Sequence, residues 1–284
     1  MMHIHRITAA GLALALGLAT AAHAQRPSGD VLVVANKQDA TASIIEVESG
    51  RMLALLPTGQ GPHEAAVSHD GRWAVVTDYG AQTPGSSLTV IDLDSLKVAR
   101  RIDLSPHRRP HGVAFFPGDT LLAVTSEASQ AVLVVDLRTG AVTALPTGQA
   151  GSHMLSLSAD GGRIYTANVG AGSVTMIDVA TRQARSVPVA PRTEGITLSP
   201  DGRQVWVGSN DDHTVTVLDA MTLAPIDTLP APGLPYRLNV GARGRYVVVS
   251  NAMVNTVRLF DAVTRAEVAA IEIPRDPARA VPDT

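Results

Sequence analysis

Six segments of this chain repeat one pattern at a nearly fixed interval: SIIEVESG, LTVIDLDS, VLVVDLRTG, VTMIDVAT, VTVLDAMT and VRLFDAVT. In each, an acid stands three residues before a Ser or Thr. The acids are Glu46, Asp92, Asp136, Asp178, Asp219 and Asp261, separated by 46, 44, 42, 41 and 42 residues. A period of about 40–45 residues is the mark of a radial or stacked repeat architecture, and it constrains the fold before any other feature is considered. Around Asp136 the unit reads HGVAFF, a turn at Pro117-Gly118-Asp119, then LLAVTS, AVLVVDL and AVTALPT. These are short runs rich in Val, Ile, Leu and Thr, bounded by Gly, Pro, Asp or Asn, which is strand chemistry. No run has the length or period of an amphipathic helix. Four strands per unit predict an all-β fold, a β-propeller of four-stranded blades with six repeats visible.

In such a blade the first strand of each unit is innermost, so HEAAVS, HGVAFF, HMLSLS, EGITLS and YRLNVG are expected around the channel. One face of these strands is apolar (Ala65/Val67, Val113/Phe115, Leu155/Leu157, Ile196/Leu198, Leu238/Val240). The other is mostly small (Ala66, Gly112, Ala114, Ser156, Gly195, Thr197), as stacked blades require. The acid-x-x-Ser/Thr sites fall at the end of the third strand and are expected to cap the hairpin into the outer one. The first recognisable strand, VLVVAN, has no inner strand before it, and the C-terminal PARAVPDT starts like one. Either Ala278 to Val281 completes the first blade and closes the ring at six, or the sequence ends before a seventh blade.

Residues 1–24 have a weakly basic start, an apolar run from Ala9 to Ala22 and an Ala22-His23-Ala24 cleavage pattern, which reads as a secretory signal peptide. Residues 25–284 then form a single propeller domain, periplasmic or secreted, without a membrane span. The chain has no cysteine, so no disulfide supports the core in an oxidising compartment. Past the signal, 22 Lys and Arg stand against 26 Asp and Glu, a balance that does not indicate a nucleic-acid partner.

The stretches RIYTANVGAGSVTMIDVATRQ, SPDGRQVWVGSNDDHTVTVLDAMT and SADGGRIYTAN combine an SPDG-type turn, a YVTN-like second strand and a VID-x-x-T third strand. In these the chain resembles the YVTN-repeat, YncE-like exported β-propellers. The resemblance covers nearly all of residues 25–284. It implies a periplasmic or surface location and a binding role more readily than any one reaction. It also implies seven blades, from which this chain departs by about one.

Aligned on their turns, the inner strands put His63, His111, His153, Glu194 and Tyr236 in one slot, where the chain enters the channel mouth. Of the nine histidines, His3, His5 and His23 lie in the signal, and three of the remaining six occupy this slot. Three imidazoles and a carboxylate, His63, His111, His153 and Glu194, are an ordinary first shell for a divalent metal such as Zn²⁺ or Cu²⁺. Hydrogen bonding to a neighbouring blade, or a polar pocket for an organic or anionic ligand, are the other readings of the same column. Glu64 follows His63 as a partner to orient a histidine, and Met154 as packing. Arg108, Arg109, Tyr236, Arg237 and Glu64 are the candidate ligand-binding residues, the arginines suited to a small anionic ligand. The second strands end in Asn36, Asp78, Asn168, Asn210 and Asn251, which serve turns or offer oxygen ligands.

These features point first to an exported binding or interaction propeller, with a small ligand, a metal or an exported protein as partner. The alternative is a metal-dependent lactonase- or lyase-like enzyme acting through the same column. No Gly-x-Ser-x-Gly elbow, cysteine nucleophile or Cys-x-x-Cys-His haem motif supports catalysis or redox work, so the balance leans away from an enzyme.

Overall fold

A computed structural model describes residues 29–274. The stretch read as a signal peptide and the Ala278 to Val281 segment, one of the two readings of the C-terminal end, lie outside the described residues. Among those described, the chain forms six antiparallel sheets in which strand order follows chain order. Five sheets have four strands and the first has three. The inner strands of the second to sixth blades are Pro62–Val67, Pro110–Phe115, Ser152–Leu157, Thr193–Leu198 and Pro235–Gly241. Each contacts the next around a central axis, as a β-propeller requires. The first blade has Val31–Asn36, Thr41–Glu46 and Met52–Pro57, equivalent to second, third and outer strands.

Register repeats as closely as sequence does. In every complete blade the first residue of the inner strand opposes an equivalent residue of the second strand, its last in all but the second blade: Pro62 with Asp78, Pro110 with Ser126, Ser152 with Asn168, Thr193 with Ser209, Pro235 with Asn251. Three residues on, the partner has advanced only two, as in Ala65 with Val76 and Leu238 with Val249. The extra residue is a β-bulge, which twists the strand and re-aims its side chains. The bulge lies at His63-Glu64 and its equivalents, directly at the channel mouth. Gly112 and Gly195 sit where a side chain would press on the neighbouring strand: a Cβ on Gly112 would meet the His153 carbonyl oxygen at 3.0 Å, and one on Gly195 that of Tyr236 at 2.9 Å.

Apolar clusters join consecutive blades. Val75, Leu88 and Val90 pack against Phe115, Leu122 and Leu133; Trp206, Val215 and Val217 pack against Leu238, Val247 and Phe260. Three further clusters fill the first-second, third-fourth and fourth-fifth junctions. The apolar face expected of the inner strands is covered at Phe115, Leu155, Ile196, Leu198 and Leu238. It is not covered in the second blade, where Ala65 and Val67 are exposed, because that face looks toward the first blade, whose described strands include no inner one. The repeated acids cap their hairpins: Asp136 Oδ1 accepts from the amides of Arg138 and Thr139 at 2.8 and 2.6 Å, and Asp219 from those of Met221 and Thr222 at 3.0 and 2.7 Å.

Candidate functional site: a ring at the channel mouth

The bulged residues meet in a closed circuit. The His63 and His111 rings lie 4.3 Å apart between centroids, and His111 and His153 3.7 Å. His153 Nε2 is 3.2 Å from Glu194 Oε1, which lies 3.4 Å from Arg237 Nη1. Arg237 Nη2 donates to Glu64 Oε1 at 2.6 Å, and that oxygen is 3.6 Å from His63 Nδ1. Five inner strands thus contribute six side chains, and two residues 173 positions apart in sequence close the loop. His63, His111, His153 and Glu194 are brought together as their common slot implies. Glu64 and Arg237, from the next slot, complete the circuit.

The two halves differ in how their polar atoms are met. Glu194 is almost fully buried, yet Arg237, His153 and the Asn210 side-chain amide all address its carboxylate. Burial pushes the Glu194 carboxyl up, but His153 and Arg237 outweigh it and hold it below the ordinary range. The same balance holds Glu64 down: burial raises it, and His63 and Arg237 more than compensate. His153 stands between two carboxylates, with Nδ1 on Glu127 Oε1 and Nε2 on Glu194 Oε1, so both ring nitrogens donate. Burial depresses its pKa, the two carboxylates raise it, and the carboxylates prevail. His111 is the opposite case. It is 1% exposed, and neither ring nitrogen has a hydrogen-bond partner. Burial first, then the nearby charges of His153 and His63, push its pKa well below 6.5, so it stands neutral with a free lone pair.

Glu127 and Tyr79 were not anticipated from sequence. Tyr79 Oη donates to Glu127 Oε2 at 2.6 Å, and its ring meets His63 and His111 edge-on at 5.1 and 5.5 Å. Burial, with Glu127 next, lifts the Tyr79 hydroxyl to about 12, so it remains a donor. Lys37 and Arg109 lie against the same ring, at 5.2 and 4.6 Å from its centre. A shared slot links these residues: the amides of Tyr79, Glu127, Val169, Asn210 and Ala252 each donate to the carbonyl just before the inner strand. Asn210 therefore belongs with Glu127, one place beyond the strand end, and Ser209 is the true counterpart of Asp78 and Asn168. The residue that follows Asp78 and its equivalents is the signal in the sequence that would have found this tier.

Two of the other strand-end groups spend their polar atoms on hydrogen bonds within the protein. Asp78 is buried and accepts from the Gly59 amide and the Ser87 and Thr89 hydroxyls; Asn168 bonds Ser173 and Thr175. Arg109 is engaged on Tyr79, Tyr236 stacks under Arg237 at 4.7 Å, and Arg108 is exposed. Met154 packs into the fourth-fifth cluster.

Two sets of donors are spaced to hold a metal ion, His63–Glu64–His111 and His111–Glu127–His153, each within 4.8 Å of one another. His111 is common to both, and Glu194 belongs to neither. Beneath the ring lies a cavity of about 270 Å³, lined by Glu64, Met154, Thr197 and Arg237 among others.

Residues 117–238, under half of the chain, match the sequence model of the cytochrome D1 heme domain family. Among curated proteins none matches. Among solved structures, a chain of Kuenenia stuttgartiensis hydrazine synthase superposes with a TM-score of 0.73 at 18% identity, over 87% of this chain and 85% of that one. That likeness shows the fold, an all-β propeller of repeated blades. The residues at the mouth do not fit a haem. Three imidazoles packed at a tilt against each other leave none standing alone as an axial ligand, and the cavity of about 270 Å³ falls below the roughly 300–1,000 Å³ of ligand pockets. His63, Glu64 and His111 also lie outside the matched segment. The donor set suits a small cation.

Proposed function

We propose that this chain is an exported binding propeller whose channel mouth takes up a divalent cation of the Zn²⁺ or Cu²⁺ class. His111 is the observation that carries the reading. Burying an imidazole with both nitrogens unpaired costs about 1–3 kcal/mol for each unmet group, and a metal at the lone-pair nitrogen removes that nitrogen's share. Neutral imidazole with carboxylate is the usual donor set for these ions. His63, Glu64 and His111 form the primary set, since His153 already spends both nitrogens on carboxylates. His153 and Glu127 join once a metal displaces the His153 proton. The donor atoms of each set lie within 4.8 Å of one another, and bonds of about 2.0–2.2 Å to a common ion are the geometry such a site would adopt. Lys37 and Arg109 beside Tyr79 suit a small anion as a companion ligand. The signal-like residues 1–24 and the likeness to exported YVTN-repeat propellers support export to the periplasm or beyond.

Protein exported without a histidine tag, assayed by elemental analysis and by calorimetry with Zn²⁺ and Cu²⁺, tests this reading. One bound ion per chain, weakened by His111→Ala, is expected. Protein that purifies metal-free and takes up neither ion would overturn it. A lactonase-like use of the same groups has a separate test, turnover of a lactone and ester panel with metal supplied.

A further inference from the structure

The junctions between blades leave room for a bulky side chain, and they fill it in different ways. The third residue of the second strand points into the junction. It is Tyr165 at the fourth-fifth junction and Trp206 at the fifth-sixth, both buried. At the third-fourth junction the slot holds the small Ala123, and Phe116 is buried in the same cluster. A second plug comes from the hairpin after the third strand, four residues past the repeated acid: Leu96 packs into the first-second junction and Leu223 into the fourth-fifth. The second-third junction has neither plug. Val75 stands in the strand slot and Gly140 in the hairpin slot, where a Cβ would meet only Ile102 Cγ2, at 3.6 Å.

A cleft of about 350 Å³ opens at this junction, within the roughly 300–1,000 Å³ of ligand pockets. Buried Val90 and Leu137 line it, with Ala99 on its exposed edge. Trp73 forms a half-buried wall, held by the Arg72 guanidinium at 4.8 Å from its ring centre. Val75 opposes Val90, and Val90 opposes Arg100, so the arginine stands over the same sheet face. Arg100 Nη1 donates to the Arg138 carbonyl oxygen at 2.9 Å, which holds its guanidinium at the cleft, and Arg138 itself is exposed on the rim. The acids of this corner already hold protein donors. Asp119 accepts from the amides of His69 and Asp70 and lies 2.7 Å from the His69 ring nitrogen, and Asp136 caps its own hairpin.

We propose that the second-third junction is a binding site for a small aromatic carboxylate, its ring beside Trp73 over Val90 and Leu137 and its carboxylate on Arg100 and Arg138. An aromatic wall with an apolar floor takes a planar ring, and guanidinium groups at the rim take its anionic end. The cleft shares no residue with the cavity at the channel mouth, so the site stands independently of the metal reading.

The chain has two tryptophans, and Trp206 is fully buried in another junction, so Trp73 reports on the cleft. Benzoate titrated into the full protein is expected to give a saturable change in tryptophan fluorescence that Trp73→Phe abolishes. Ala99→Phe places a ring in the cleft from its exposed edge and should remove binding, with the thermal midpoint kept. Arg138→Gln, also at an exposed position, should weaken binding by about 10-fold, as loss of a charge-assisted hydrogen bond does. Benzyl alcohol, with the ring and no charge, should bind about 10-fold more weakly than benzoate, and acetate, with the charge and no ring, should leave the fluorescence unchanged. No saturable signal with benzoate, by fluorescence or by calorimetry, would overturn the proposal. Benzoate binding unchanged in Ala99→Phe would place it outside the cleft and overturn it too. Benzyl alcohol binding as tightly as benzoate, or benzoate binding unchanged by Arg138→Gln, would take away the carboxylate's seat on the rim, and with it the class of ligand proposed.

Discussion

The ring at the channel mouth has two halves built from the same slots of the same repeat, and they are in opposite states. From Glu194 through Arg237 to Glu64, every charge has a counter-charge, and the buried Glu194 carboxylate has three partners. From His63 to His153 the rings pack at a tilt against one another, and the middle one has both nitrogens unmet. A propeller repeat supplies the strand, the bulge and the burial equally to both halves. It does not require an unsatisfied imidazole in one of them. The saturated half reads as the support that fixes the geometry, and the unsaturated half as the place left for a ligand.

Substitution at the two centres should separate these roles, and the largest effect is expected on metal binding. His111→Phe keeps an aromatic ring in the stack and removes both nitrogens. Affinity for Zn²⁺ or Cu²⁺ should fall by at least about 100-fold, beyond the 10–100-fold typical of an outer-shell partner. The thermal midpoint of the metal-free protein should hold or rise, since two unpaired buried atoms are gone. Arg237→Met should do the reverse. It leaves Glu194 and Glu64 without their cation, and breaking a buried pair costs about 3–5 kcal/mol. Because Arg237 keeps a quarter of its surface, about 2–3 kcal/mol is expected, a fall of roughly 5–10 °C in midpoint. Equal losses of stability in the two variants would erase the distinction between the halves.

Glu127→Gln sharpens the boundary between them. Glu127 holds His153 on one side and Tyr79 on the other, and it belongs to the second donor set. A drop of about 10–100-fold in metal affinity is expected by calorimetry. Tyr79→Phe, which removes only the hydroxyl that orients Glu127, should cost a few-fold. If Tyr79→Phe proved the more damaging, the ring's contact with His63 and His111 would matter more than the carboxylate.

The contrast also explains what could be seen in the sequence. The repeat made the blades legible because each blade reuses one strand order, and His63, His111 and His153 were legible because one register carries them all. Arg237 stood out only as an arginine beside Tyr236. Its pairing with Glu64 joins positions 173 residues apart, and no local pattern encodes that. Glu127 was hidden because its counterparts are Tyr79, Val169 and Asn210, chemically unlike residues in one backbone slot. Identity misplaced Asn210: it looks like Asn168, and the hydrogen bonding puts it one residue further on. The apolar face expected on the second blade's inner strand failed at Ala65 and Val67 for a non-local reason, the absence of a covering strand among the described residues.

The smallest effect, and the most specific, is on pH dependence in a chelator. His111 has a folded pKa well below its ordinary 6.5, so below about pH 6.5 the unfolded chain takes up a proton that the folded one refuses, and stability falls as pH drops. His153 has a folded pKa raised above 6.5, so its contribution is complete below that value and fades as pH rises through the raised one. The carboxyls of Glu64, Glu127 and Glu194 are held below 4.5, so what they add is present above that value and lost only in stronger acid. The two histidines together predict a stability maximum near pH 6.5, with an acid limb belonging to His111 and an alkaline limb to His153. Urea midpoints measured from pH 4.5 to 9 on the wild type and on His111→Phe check this. The acid limb between pH 6.5 and 4.5 should flatten in the variant while the alkaline limb stays. An acid limb unchanged by His111→Phe would mean that His111 is protonated in the folded protein, and the free lone pair that distinguishes its half of the ring would not exist.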